Sequence, residues 1–228
     1  MTKKLFILSW ALTFCLTSAA AMAGDIIDRI VATVNGHIIL QSDWDDDVRY
    51  EAFIDGRPSD RVTIEDRKSA LDRLIDQELL GEQVRASDSP AASPEEVTRH
   101  IDQIRQQYPG AETESGWAAT LARYALTLED LKKRLAIQLE LTRLVEARLR
   151  PGVNIDSKSV ESYYNQELLP QLRQAGEKDV PLNEVTPTIK ELLTQEKVNQ
   201  LLIAWLQNLR SGSEIHTEAS SGPGDGTR

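Results

Sequence analysis

Hydrophobic positions along this chain fall into three rhythms. Residues 5–20 are almost continuously apolar, residues 28–41 are short and β-branched, and from residue 42 to residue 209 the apolar side chains recur every three or four positions. In the second of these, Val31-Ala32-Thr33-Val34 and Ile38-Ile39-Leu40 flank Asn35-Gly36. That pair suits a type I′ turn, whose two central residues need positive φ, so a β-hairpin is expected. Two strands alone are marginal in water, and the hairpin therefore has to pack on something else.

The rest reads as helix. Ser42 with Asp45 is the expected cap of a helix through Val48, Tyr50 and Phe53, broken at Asp55-Gly56-Arg57-Pro58. Thr63 opens a second helix, with Leu71, Leu74, Ile75 and Leu79 on one face. Ser93-Pro94-Glu95-Glu96 combines a cap, a proline in the first turn and a returning glutamate, and starts a third helix ending at Pro109-Gly110. A short helix around residues 117–124 follows. Thr127 opens the longest element of this half, whose two apolar rows (Leu128, Leu131, Leu135, Leu139 and Ile137, Leu141, Leu144, Val145) call for neighbours on more than one side. Pro151-Gly152 ends it, and Asp156 caps a helix bearing Val160, Tyr163 and Tyr164. A stripe from Val185 to Leu209 predicts a long C-terminal helix packed on the one that starts at Thr127. Residues 213–217, around Ile215, suggest a strand pairing with the hairpin. Residues 218–228 hold no apolar anchor and are expected to be disordered.

The first 23 residues set a compartment. Lys3 and Lys4 precede the apolar run, and Ala21-Met22-Ala23 supplies a small-x-small cleavage pattern, so a secretory signal peptide cut after Ala23 is expected. Cys15 is the sole cysteine, so a mature chain would rely on its core rather than on disulfides. Cleavage leaves 24 basic against 36 acidic side chains, a net charge of −12, which disfavours nucleic acid or anionic lipid as partner. No stable membrane insertion is expected after cleavage.

Candidate chemistry is sparse. His37, His100 and His216 lie far apart, without the His-x-x-x-His or cysteine spacings of metal sites, so no metal and no cofactor are expected. Asp43, Asp45, Asp46 and Asp47 lack the alternating ligands and glycine of a calcium loop, and read as first-turn acids favoured by the helix dipole. Trp205 reads as core. Trp117, between Gly116 and Ala118-Ala119 on a short element, is the aromatic residue expected to be exposed.

Residues 26–43, from Ile26-Ile27-Asp28-Arg29-Ile30-Val31 through Asn35-Gly36 to Ser42-Asp43, resemble the start of mature SurA-type periplasmic chaperones. Leu71-Asp72-Arg73-Leu74-Ile75-Asp76-Gln77-Glu78-Leu79-Leu80 is similar to that family's next helix and Leu126-Thr127-Leu128-Glu129-Asp130-Leu131 to its fourth. The stretch 185–210 resembles the C-terminal helix, which in that family returns to the N-terminal module. The resemblance spans residues 26–217 and implies a mainly helical fold with a small sheet. One departure stands out. Relatives carry parvulin isomerase domains of roughly 90 residues where this chain has only residues 165–180, too few to enclose a core. The expected organisation is thus a leader (1–23), an N-terminal module (24–164), a short linker (165–180), a C-terminal helix and strand (181–217) and a tail (218–228).

The resemblance implies a periplasmic, ATP-independent chaperone for unfolded exported polypeptides, outer-membrane β-barrel proteins above all, with isomerase activity not carried over. A residual isomerase and an accessory subunit of an envelope complex are the competing functions. Large apolar residues next to breaks, namely Tyr50, Phe53, Ile54, Trp117, Leu121 and Tyr124, are the expected client-binding groove.

Overall fold

The computed structural model describes residues 28–58, 61–87 and 90–217. The expected leader and tail lie outside these. Strand β1 (Ile30–Val34) and strand β2 (His37–Leu40) form the hairpin. Asn35 and Gly36, at φ 49° and 84°, make the turn with both residues left-handed, as type I′ demands. Val34 faces His37, Thr33 faces Ile38 and Ala32 faces Ile39, with an irregularity before Ile30 meets Leu40.

Helix α1 (Gln41–Ile54) follows at once. Its cap differs from the expected one. Leu40 is the N-cap, its amide donating to Asp43 Oδ2 at 2.9 Å, while Ser42 already lies in the first turn and bonds Asp28. Helices α2 (Ile64–Arg85), α3 (Pro94–Arg105) and α5 (Leu128–Leu149) begin as read, each with a reciprocal cap: Thr63 with Asp66, Ser93 with Glu96, Thr127 with Asp130. Helix α4 (Glu114–Arg123) is capped by Thr113. Arg143 binds the Glu96 carboxylate, which together with the Ser93 amide holds that group down to about 2.

The segment expected to be a linker is helical. Helix α6 (Ser157–Tyr163) runs into a π-helical stretch, Tyr164–Leu168, and then into α7 (Leu169–Gln174). Gly176, at φ 74°, turns the chain back. Tyr164 donates to the Val180 carbonyl at 2.7 Å, and Arg173 pairs with Asp179 at 2.7 Å. These contacts lead directly into α8 (Leu182–Ser211).

Helix α8 packs on α2, α5 and α6, so the C-terminal helix returns to the N-terminal helices. It buries only Ile189 and Val198 fully, and most of its stripe is half-buried. Trp205 is therefore not a core residue: it is half-buried beneath the guanidinium of Arg148, 4.7 Å from the ring centre. Arg210 pins the far end to Asp76 at 2.6 Å.

Beyond α8, β3 (Ile215–Thr217) pairs antiparallel with β1, setting Val34 opposite Ile215 and Ala32 opposite Thr217. The sheet order is β2-β1-β3. Asn35 ties the closure: its amide nitrogen reaches Glu82 and Ser213 Oγ, and its side-chain oxygen accepts from the Glu214 amide at 2.9 Å.

Two apolar clusters result. Val31, Ala32, Val34 and Ile39 of the sheet meet Leu71, Ile75 and Leu79 of α2, with Trp44, Leu209 and Ile215 at the margin. The second cluster gathers α1, α3, α4 and α5 around Phe53.

Candidate functional site

Five of the six residues expected to bind clients come together, but inside the protein. Phe53 is 0 % exposed, Trp117 3 %, Leu121 3 %, Tyr50 8 % and Tyr124 9 %. Phe53 stacks on Tyr108 at 5.1 Å between ring centres and meets Tyr124 edge-on at 5.5 Å and Trp117 at 6.0 Å. Tyr108 donates its hydroxyl to the Phe53 carbonyl, and burial raises its pKa. This aromatic knot is core, and only Ile54 of the six lies at the surface. The signal that would have placed them was the spacing itself. Trp117, Leu121 and Tyr124 fall on one helical face, so one wall of α4 is apolar whatever its flanks suggest.

The open concavity lies on the other side of α1. A cleft of about 710 Å³ runs between β2 and α2 on one wall and α5 with the α4–α5 turn on the other. Ile38, Leu74, Val84, Leu126, Ile137 and Leu141 give it apolar surface. Ile38 is 56 % exposed and Ile137 53 %; other large aliphatic side chains, Ile64 and Ile203 among them, also face solvent, but these two line the cleft together. Strand β2 is an edge strand: β1 occupies one of its sides, and no strand among the described residues takes the other.

Two arginines that line the cleft, Arg73 and Arg134, are held from behind by a buried acid. Asp47, 1 % exposed, pairs with Arg134 of α5 at 3.2 Å and Arg73 of α2 at 3.6 Å, so one carboxylate joins three helices. Burial nonetheless pushes its pKa up, outweighing both guanidiniums, and its Oδ2 lacks a hydrogen-bond partner. Arg134 also lies 5.1 Å from the ring centre of Tyr50, whose hydroxyl donates to Gln138 at 3.1 Å. Burial lifts that phenol to about 12. Tyr50 is thus the one predicted aromatic residue that borders the cleft. The aspartate run is only in part a cap. Asp43 caps α1, whereas Asp45 and Asp46 pair with Arg67 and Arg49, and Asp47 with the half-buried Arg73 and Arg134.

What such a lining offers is apolar contact, an unpaired strand edge and interspersed charges of both signs. Acids (Asp43, Glu51, Glu78, Asp130) alternate with Arg73, Arg85, Lys133 and Arg134 around it. This combination suits an extended polypeptide of varied sequence.

A family model, the SurA-like N-terminal domain, matches residues 1–145. The chain belongs to that family. Comparison with curated proteins gave no match. The helical architecture, the three-stranded sheet and the returning C-terminal helix are those expected of a SurA-like module. No helix among the described residues is long and apolar enough to cross a membrane. Among them too, one group, His37 with Glu78 and Glu82, has the composition and closeness to hold a metal ion, contrary to the expectation from spacing alone.

Proposed function

We propose that this SurA-like protein is an exported, periplasmic holding chaperone. It binds extended segments of unfolded exported proteins, outer-membrane β-barrel precursors above all, in the cleft between β2, α2 and α5. The observation that carries the reading is the exposure of Ile38 and Ile137 across an open cleft, beside a strand edge able to accept backbone hydrogen bonds. Strand-forming clients supply what that surface lacks: a partner for the β2 edge and alternate apolar side chains for the two walls. Holding is weak and reversible, because few apolar contacts are made and no nucleotide is consumed. No isomerase step is included in this proposal, a reading supported by the brevity of residues 164–174, which form one short helical excursion.

The test is suppression of aggregation of a urea-unfolded outer-membrane barrel protein on dilution. Wild type should suppress it, and Ile38→Ser with Ile137→Ser should weaken suppression at least about threefold, the loss of roughly 0.7 kcal/mol of apolar contact. The melting temperature should stay nearly constant, since both side chains already face water. Undiminished suppression in the double variant would place the client elsewhere.

A further inference from the structure

We propose that His37, Glu78 and Glu82 form a binding site for a borderline divalent cation, of which zinc is the type. His37 opens β2, while Glu78 and Glu82 stand one turn apart on α2, so the fold itself brings them together. One ligand atom from each lies within 4.8 Å of the others. A tetrahedral zinc ion with bonds of about 2.0–2.1 Å holds its ligands about 3.3 Å apart. Small rotamer changes of three side chains close that gap, without backbone movement.

The surroundings favour a built site over a chance meeting. The Asn35 amide donates to both oxygens of Glu82, at 3.0 and 2.8 Å, fixing the plane of that carboxylate and leaving lone pairs on each oxygen. Such outer partners orient metal ligands. Asn35 is held in turn by Ser213 and the Glu214 amide. His37 Nδ1 is 3.5 Å from Glu78 Oε1, so the imidazole already faces the carboxylate it would share an ion with. One imidazole and two carboxylates suit zinc, cobalt, nickel or copper, and not magnesium or calcium, which prefer oxygen alone. Arg85 competes, its guanidinium lying 2.6 Å from Glu78 Oε1. An ion here would clamp the hairpin to α2 where the C-terminal strand closes the sheet.

The experiment titrates the full chain, free of any polyhistidine tag, with zinc chloride. Calorimetry should show one equivalent bound, and saturation should raise the melting temperature by about 5 °C. His37→Asn, at an exposed position, should weaken binding at least tenfold and abolish the shift, as should Glu78→Gln. Arg85→Ala should bind more tightly, since the rival cation is gone. His100→Asn and His216→Asn should bind as wild type. The proposal is overturned by no binding at millimolar zinc, by binding that survives His37→Asn, or by an equal shift with magnesium. In the last case general screening of acidic charge explains the effect.

Discussion

Phe53, without solvent exposure and touching three aromatic rings, decides how the residues once expected to bind clients behave. Phe53→Ala removes a buried ring among rigid neighbours and should destabilise by about 3–5 kcal/mol in chemical denaturation. Holding measured well below its melting temperature should be unchanged, and a loss of holding in the folded variant would restore the aromatic cluster as a binding surface. The burial of Trp117, Leu121 and Tyr124 was legible in their spacing on one helical face, whereas that of Phe53 was hidden by the break that follows at Asp55-Gly56. The rim of the cleft was equally hidden. Ile38 sits in a strand whose two faces differ only in what α2 happens to cover, and Ile137 is the exposed member of a row in which Leu144 and Val145 are buried. Asp47 gives a second test at this scale. Burial raises its pKa above the ordinary value of 3.8, so the folded state holds its proton more tightly than the unfolded state does. Its stabilising contribution is then complete below that value and is lost as pH climbs through the folded pKa. Asp47→Asn cannot titrate. The stability of wild type minus that of the variant should therefore fall as pH rises above 3.8. A rise would mean that Arg73 and Arg134 outweigh the burial.

Among the elements, β3 is the smallest and the most consequential. A chain ending at Arg210 loses the Val34–Ile215 and Ala32–Thr217 pairings and the three hydrogen bonds between Asn35 and residues 213 and 214. Its melting temperature should fall by several degrees, about 2–4 °C for each kcal/mol removed. Asn35→Ala should cost about 1–3 kcal/mol, because it strips the side-chain bonds and leaves a left-handed φ on a residue that lacks asparagine's tolerance for it. An Asn35→Gly variant separates these causes: it relieves the backbone and still loses the bonds, so it should recover only part of the loss. These elements were largely legible, since Thr63, Ser93, Thr127 and Asp156 combine a capping side chain with an apolar run behind it. The start of α1 was not, because Asp28 captures Ser42 from a distance in sequence that no local pattern encodes. The π-helical stretch was missed for a related reason: Asn165, Gln166 and Glu167 carry no apolar period, and the hydrogen bond from Tyr164 to Val180 is a tertiary event.

Across the whole molecule, α1 belongs to both clusters, with Trp44 at its start against the sheet side and Phe53 at its end among the aromatic rings. Asp47 between them is paired to α2 and α5. The two clusters should accordingly unfold as one. Single-tryptophan variants keeping either Trp44, which donates to the Arg67 carbonyl at 2.6 Å, or Trp117 should report the same denaturation midpoint. Separate midpoints would show that α1 does not couple them. The sheet carries a further consequence, for the order in which a nascent chain can finish itself. Residues 32–34 are made early and their partners 215–217 nearly two hundred residues later, so a growing chain carries its first hairpin open on the β1 side. Until the end arrives, that edge is a vacancy of the same kind that a strand-binding chaperone recognises in others. A second copy's β3 fits it as well as its own, and crowded synthesis at low temperature should yield strand-exchanged dimers that a diluted, slowly refolded sample does not.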